Sequence, residues 1–294
     1  MTFGTYGPAS SDSRPIPPGL HFVATPIGAA RDITLRALDT LAGADVLAAE
    51  DTRTLRHLME IHGIPLNGRH VVAYHDHNGA AARPKLLRAL QDGKSVAYAS
   101  EAGTPLVADP GYQLARAAIE AGVPVLAAPG ASAVLYALTV SGLPTDRFMF
   151  VGFPPATQSA RRTFLKDCAK VQATLVMFES PKRIQRLLTD LVDSHGEGRE
   201  GVVCRELTKR FEEVVRGSLG DLAAGFATRD VRGEFVVLVD RGEVARADAI
   251  DVETAMKQAL ASMSVKDAAA MVADQFGLPK REAYQLALKL GDAT

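Results

Sequence analysis

The 294-residue chain contains no tryptophan, and only 6% of its residues are aromatic. Its two cysteines, Cys168 and Cys204, show no CxxC spacing, which excludes a disulfide scaffold and a four-cysteine zinc site. Formal net charge is −1, so no global field draws the chain toward nucleic acid, and such binding needs a local basic face. Long apolar runs are missing too. The longest uncharged stretch, residues 121–145, could cross a bilayer by length, but Pro124, Pro129-Gly130 and Gly142-Leu143-Pro144 divide it into strand, turn and helix. The opening MTFGTYGPASSDSRPIPPG has neither a basic start nor an apolar segment, so it does not read as a signal peptide. These absences predict a soluble, cytoplasmic protein with no membrane partner.

What is present is 47% hydrophobic and 23% charged, a globular composition that excludes wholesale disorder, collagen and coiled coil. The length suits about two domains, each able to bury its own core. Residues 1–18, rich in Pro, Gly and Ser, read as a flexible tail. From 19 to 145, short apolar runs (LHFVATP, VLAAED, VVAYH, SVAYAS, VPVLAAP) alternate with helical patterns near 33–43, 53–62, 80–92, 110–121 and 132–141. Such alternation predicts an α/β domain with a parallel sheet. Residues 146–243 form a second α/β domain, with strands FMFVGF, ATLVMFE, GVVCREL, EEVVRG and EFVVLVD. Two of these lie close enough in sequence to pair antiparallel, which predicts a mixed sheet. Residues 244–294 read as a helical region, with Ser264 and Asp267 as a cap, Gly277 as a stop and Leu278-Pro279 as a restart.

Two motifs fail on context. GEGREG (196–201) matches a dinucleotide-binding glycine pattern, but it follows a helix and leads into a strand, the reverse of the order that faces a helix N-terminus to phosphates. DGKS (92–95) imitates the end of a phosphate loop, yet Arg88 stands at the first glycine position and a strand follows.

A stronger pattern is three turn-rich loops, each at the carboxyl end of a predicted parallel strand: TPIG (25–28), SEAGTPLVADPG (100–111) and APGASA (128–133). Ligands of open α/β sheets sit outside those ends. Glycine permits close backbone approach, and proline stiffens a loop in advance of binding. Three unrelated tight turns would use the same residues.

TPIGAARDITLRAL, AAEDTRT, HDHN, SEAGTPLVADPGY, PGASAVLYALTVSGLP, FESPKRI, CRELTKRFEEV and GEFVVLV follow one another in a family-specific order. The chain resembles the ribosomal RNA small subunit methyltransferase I family, in the class III tetrapyrrole methylase superfamily, over about residues 20–290. Glu101 stands where the family pattern has aspartate, and PGASA where PGPCA is more usual. The resemblance implies a two-domain tetrapyrrole-methylase-like fold with a C-terminal helical extension. It implies S-adenosylmethionine in a cleft between domains, a homodimer, and 2′-O-methylation of a cytidine in the decoding region of 16S rRNA. It further implies that the cofactor touches Pro26, Gly103, Thr104, Pro105, Val107, Ser132 and Ala133 from the first domain, and Phe178, Glu179, Leu207, Gly233, Glu234 and Phe235 from the second. Phe178 is equally suited to a strand core.

Removal of a ribose proton calls for an acceptor, and the cleft loops offer Asp51, His75, Glu101 and Asp109, with nothing in the sequence to rank them. Asp51 is equally suited to cap the following helix. His75 and His77 share a face if extended, but no third metal ligand lies in reach. Basic side chains at Arg161, Arg162, Lys166 and Lys170, and again at Lys182, Arg183 and Arg186, flank one strand. With Arg53 they are candidate contacts to 16S rRNA or the small ribosomal subunit, although such clusters also serve as solvated faces. A small-molecule methyltransferase acting on a tetrapyrrole-like ring and an RNA-binding assembly factor are the alternatives.

Overall fold

A computed structural model describes residues 15–75, 77–241, 249–276 and 278–291. Most of the tail, Asp76 of the HDHN loop, the junction near 243 and Gly277 therefore lie outside the described residues. The chain divides into two compact units, residues 1–241 and 242–294.

In the first unit, ten strands make two five-stranded sheets. The first contains β1 (Gly19–Val23), β2 (Val46–Ala49), β3 (Val71–Ala73), β4 (Ser95–Ala99) and β5 (Val125–Ala128), in the order β3-β2-β4-β1-β5 and parallel throughout. Every residue of β1 and β4 is buried, as expected where helices cover both faces. On one face α1 (Leu35–Gly43) and α2 (Thr52–Ile61) bring Leu41, Leu55 and Met59 against Val23 and Leu47. On the other, α3 (Gly79–Gln91) and α4 (Tyr112–Glu120) bring Leu86, Leu90 and Leu114 against Leu20, Phe22 and Tyr98.

The next helix, α5 (Ala133–Ser141), turns to the second sheet and packs Val134, Ala137 and Leu138 against its strands. That sheet is built from β6 (Phe148–Phe150), β7 (Thr174–Glu179), β8 (Glu200–Arg205), β9 (Glu213–Ser218) and β10 (Phe235–Val239), in the order β6-β7-β10-β8-β9. Only β6 and β7 run parallel, so the sheet is mixed, and β8 pairs antiparallel with β9. Its far face carries α6 (Gln158–Cys168), α7 (Ile184–His195) and α8 (Leu219–Phe226), whose Leu165, Leu187, Leu191 and Leu222 enclose Met177 and Val237. α6 and α8 are additions to the sequence reading.

The second unit packs α9 (Ala249–Leu260), α10 (Val265–Phe276) and α11 (Lys280–Gly291) around Met256, Val272 and several alanines. Ser264 caps α10: its Oγ accepts from the Asp267 amide at 3.2 Å and donates to the Asp267 carboxylate at 2.6 Å.

Candidate functional site

Because β1 lies between β4 and β5, the three turn-rich loops leave adjacent strands and meet. Thr25 and Gly103 exchange both backbone hydrogen bonds at 3.0 Å. Ser100 Oγ donates to the Gly103 carbonyl at 2.6 Å, and Thr104 Oγ1 donates to the Ala131 carbonyl at 3.0 Å. Gly103 needs its residue type, since its φ of +81° is strained for any side chain and a Cβ would lie 3.2 Å from Ile27.

These loops and the second sheet enclose a cleft of about 460 Å³, a typical size for a small-molecule site. Of the residues the resemblance implies for the cofactor, Gly103, Thr104, Val107, Ser132, Ala133, Phe178, Glu179, Leu207, Gly233, Glu234 and Phe235 all line it. Pro26 and Pro105 are absent from the lining, and Pro105 is buried within its loop. Glu50, Phe153, Ser180 and Pro181 also line the cleft. Glu50 directly follows β2, a position that the sequence already directs toward the cleft mouth, whereas Phe153 enters only through loop folding.

The cleft is acidic. Its ionisable lining residues are Glu50, Glu101, Asp109, Glu179 and Glu234, with no lysine, arginine or histidine among them. Glu50 Oε2 is buried without a hydrogen-bond partner. Lys209 reaches Glu234 at 2.6 Å and Glu206 at 2.9 Å from outside the lining, and Arg183 lies 3.0 Å from Glu179.

The four candidate bases separate. Asp51 caps α2, accepting from the Arg53 amide at 2.7 Å and the Thr54 amide at 3.4 Å, and pairs with the Arg53 side chain at 2.9 Å. Hydrogen bonds from the Arg53 side chain and amide hold its pKa at about 2, too low for a base working near neutrality. His75 is outside the cleft lining; its amide donates to Asn78 Oδ1 at 2.8 Å as the chain enters α3. Among the described residues no group of three or more His, Cys, Asp or Glu side chains is placed to hold a metal. Glu101 and Asp109 both line the cleft. Partial burial raises the Glu101 pKa, and the charges of Glu50, Asp51 and Glu234 raise it further.

The basic cluster needs correction. Arg161 is only 3% exposed, and its guanidinium pairs with the fully buried Asp190 at 2.6 Å while donating to the Ala156 carbonyl at 3.1 Å. It is a structural residue, since a desolvated guanidinium already fully engaged has no donor for a phosphate. Arg162 is committed to Asp190 and Asp193, each at 2.8 Å, and Arg183 to the Pro154 and Pro155 carbonyls. Lys182 and Arg53 remain exposed.

The family model described as "Tetrapyrrole (Corrin/Porphyrin) Methylases" matches residues 19–223, and the "RsmI C-terminal HTH domain" model matches residues 246–291. A protein of Mesorhizobium japonicum named ribosomal RNA small subunit methyltransferase I is 45% identical over 98% of this chain and 97% of its own. Its namesake in Escherichia coli O157:H7 is 41% identical over 92% and 94%. The chain belongs to the ribosomal RNA small subunit methyltransferase I family. Members are S-adenosylmethionine-dependent methyltransferases of the tetrapyrrole methylase superfamily. Solved structures with the same fold include a cobalt precorrin-4 methyltransferase (TM-score 0.57, 19% identity, 75% of this chain and 94% of that one). Another is a uroporphyrin-III C-methyltransferase of Thermus thermophilus complexed with S-adenosyl homocysteine (TM-score 0.54, 22% identity, 76% and 97%). For this family the cleft's residues suit the cofactor: an acidic lining with an orphaned Glu50 oxygen complements a sulfonium and an ammonium. Phe178, Leu207 and Val236, which share one face of the second sheet, give the lining an apolar part suited to a flat ring, while Phe235 packs its own ring on Phe226 at the opposite face.

Proposed function

We propose that the chain methylates the 2′ oxygen of a cytidine ribose in the decoding region of 16S rRNA, in the cytoplasm, within this cleft. The observation that carries the reading is the meeting of the β1, β4 and β5 loops with the second sheet around an acidic pocket, in a chain whose named relatives match it nearly end to end. Residues 19–145 and 146–243 then act as the two walls. The structures of small-molecule methylases span about three quarters of this chain, so the C-terminal unit is extra to them, which favours a macromolecular substrate over a tetrapyrrole.

S-adenosylmethionine supplies an electrophilic methyl group on a sulfonium. The chain's part is to align the acceptor oxygen with it and to receive the ribose proton. Alignment of this kind supplies about 7–11 kcal/mol of a barrier. Glu101 is the best-suited acceptor, because it lines the cleft and partial burial, with the neighbouring carboxylates, raises its proton affinity above that of an ordinary glutamate. The acidic lining repels phosphates, so the RNA presents a single ribose to the cleft and keeps its backbone at exposed cations such as Arg53 and Lys182.

A homodimer forms part of this reading. β5 and β6 are edge strands, and both expose apolar side chains (Val125, Leu126, Phe148 and Met149) that an edge in water normally avoids. Light scattering on the purified chain should report twice the monomer mass, and Leu126→Asp with Phe148→Asp should halve it.

The deciding experiment incubates the chain with labelled S-adenosylmethionine and small ribosomal subunits from a strain lacking the activity. One labelled alkali-resistant dinucleotide should survive base hydrolysis, because a methylated 2′ oxygen cannot attack the adjacent phosphate. Label released on mononucleotides would put the methyl group on a base and refute the reading.

A further inference from the structure

Phe153 lines the cleft, yet 56% of it is exposed. It is the outermost of three rings. Phe150 and Phe178 meet edge to face at 4.8 Å, and Phe178 meets Phe153 in the same manner at 5.6 Å. Phe178, between the other two, also lines the cleft, whereas Phe153 stands at its rim with ring surface left open. Phe211 is similarly exposed but lies outside the lining, beneath the Arg210 guanidinium.

The segment bearing Phe153 is irregular but well held. Gly152 has a φ of +68° just after β6, and Pro154 and Pro155 follow. The Arg183 guanidinium donates to the Pro154 and Pro155 carbonyls, and Arg161 donates to the Pro155 and Ala156 carbonyls while anchored on buried Asp190. Two arginines thus fix a short loop whose one large exposed side chain is an aromatic. A ring held in advance loses little entropy when a flat ligand stacks on it.

Resting on the ribose-methylation reading, we propose that Phe153 is the stacking platform for the nucleobase of the acceptor nucleotide, swung out of the RNA stack at the cleft rim. A 2′ oxygen inside a folded strand cannot enter an acidic pocket with its phosphates. An extruded nucleotide brings ribose inward and leaves its base beside the cleft, where an open aromatic face replaces the stacking it gave up. Adenine of the cofactor takes the inner slot beside Phe178, which is the more enclosed.

The absence of tryptophan makes a direct test available, since Phe153→Trp installs a single indole reporter. Titrating that variant, saturated with S-adenosylhomocysteine, with cytidine 5′-monophosphate or a short ribo-oligonucleotide should quench its fluorescence saturably. No quenching at a concentration where anisotropy shows the oligonucleotide bound would overturn the proposal. In methyl transfer to small subunits, Phe153→Leu should lower kcat/KM by roughly 5- to 150-fold, the span expected for loss of one base–aromatic stack. Phe153→Tyr should keep most of the rate, and calorimetry should give both variants S-adenosylmethionine affinity within twofold of the parent. A leucine variant as fast as the parent, or a parallel loss of cofactor affinity, would refute the platform. Failure of the methylation reading looks different: the parent chain itself would transfer no 2′-O-methyl group, while the indole signal would still report whether a base stacks at that position.

Discussion

The Ala29 amide donates a hydrogen bond to Thr208 Oγ1 at 3.1 Å, joining the loop after β1 to the loop after β8 across 179 residues of sequence. Residues flanking this contact, Ile27 and Leu207, both line the cleft, so the bond ties its two walls together. Thr208 holds a left-handed backbone (φ +62°), and its hydroxyl fills the space a Gly28 Cβ would enter, at 2.5 Å.

Thr208→Ala should therefore weaken S-adenosylmethionine binding by several-fold, the equivalent of about 0.5–1.5 kcal/mol for one hydrogen bond. Gly28→Ala should displace the same hydroxyl, so the double variant should cost less than the sum of the two. Calorimetric affinities for the four proteins check this. Additive losses would mean the two residues act separately.

Arg161 and Asp190 give a stability prediction where the sequence suggested RNA contact. Stranding a buried charge costs about 3–5 kcal/mol, and Arg162, which stays on Asp190 at 2.8 Å, keeps the loss of Arg161 below that range. Arg161→Ala should thus lower the melting temperature by several degrees, at about 2–4 °C per kcal/mol for a chain this size. Arg161→Ala with Arg162→Ala, which does strand Asp190, should lower it further. Lys182→Glu should leave it unchanged and weaken RNA binding. Burial alone would raise the Asp190 pKa, but bonds from Arg162 and Arg161 outweigh it and hold the group below its ordinary value. The pair's stabilisation is accordingly present above the unfolded carboxyl's pKa of about 3.9 and fades as pH falls through the lower folded value. An Arg161→Ala protein that melts with the parent at neutral pH would contradict this.

The strands were legible because alternation of apolar runs with 3.6-period segments survives in the folded sheets, and because Gly and Pro mark their carboxyl ends. α8 (Leu219–Phe226) was not, since its LGDLAAGF follows β9 directly and only the Ser218 cap, accepting from the Asp221 amide at 3.1 Å, announces it. For the site, the loop glycines were readable as local backbone requirements. The fate of the arginines was not. Arg161 and Lys182 look alike in sequence, and only the packing of α6 on α7, which delivers Asp190 to the first of them, separates a buried strut from a surface charge.

Glu101 yields the last prediction. Partial burial raises its pKa, the negative charges of Glu50, Asp51 and Glu234 raise it further, and Arg53 opposes them. A general base acts only when unprotonated, so the methylation rate should fall as pH drops through that raised value. The acid limb should therefore lie above the ordinary glutamate pKa of about 4.3. Glu50→Gln removes the largest of the raising charges and should move the limb to lower pH. Asp51, held at about 2, stays ionised across the whole range and contributes no limb of its own. Glu101→Gln should abolish the limb and reduce kcat by about 10²- to 10⁴-fold, the usual worth of a positioned base, while S-adenosylmethionine affinity changes only a few-fold. Rates measured from pH 5 to 9 on saturating small subunits decide it. A fully active Glu101→Gln enzyme, with its acid limb in place, would transfer the role to Asp109, the other predicted base in the cleft lining.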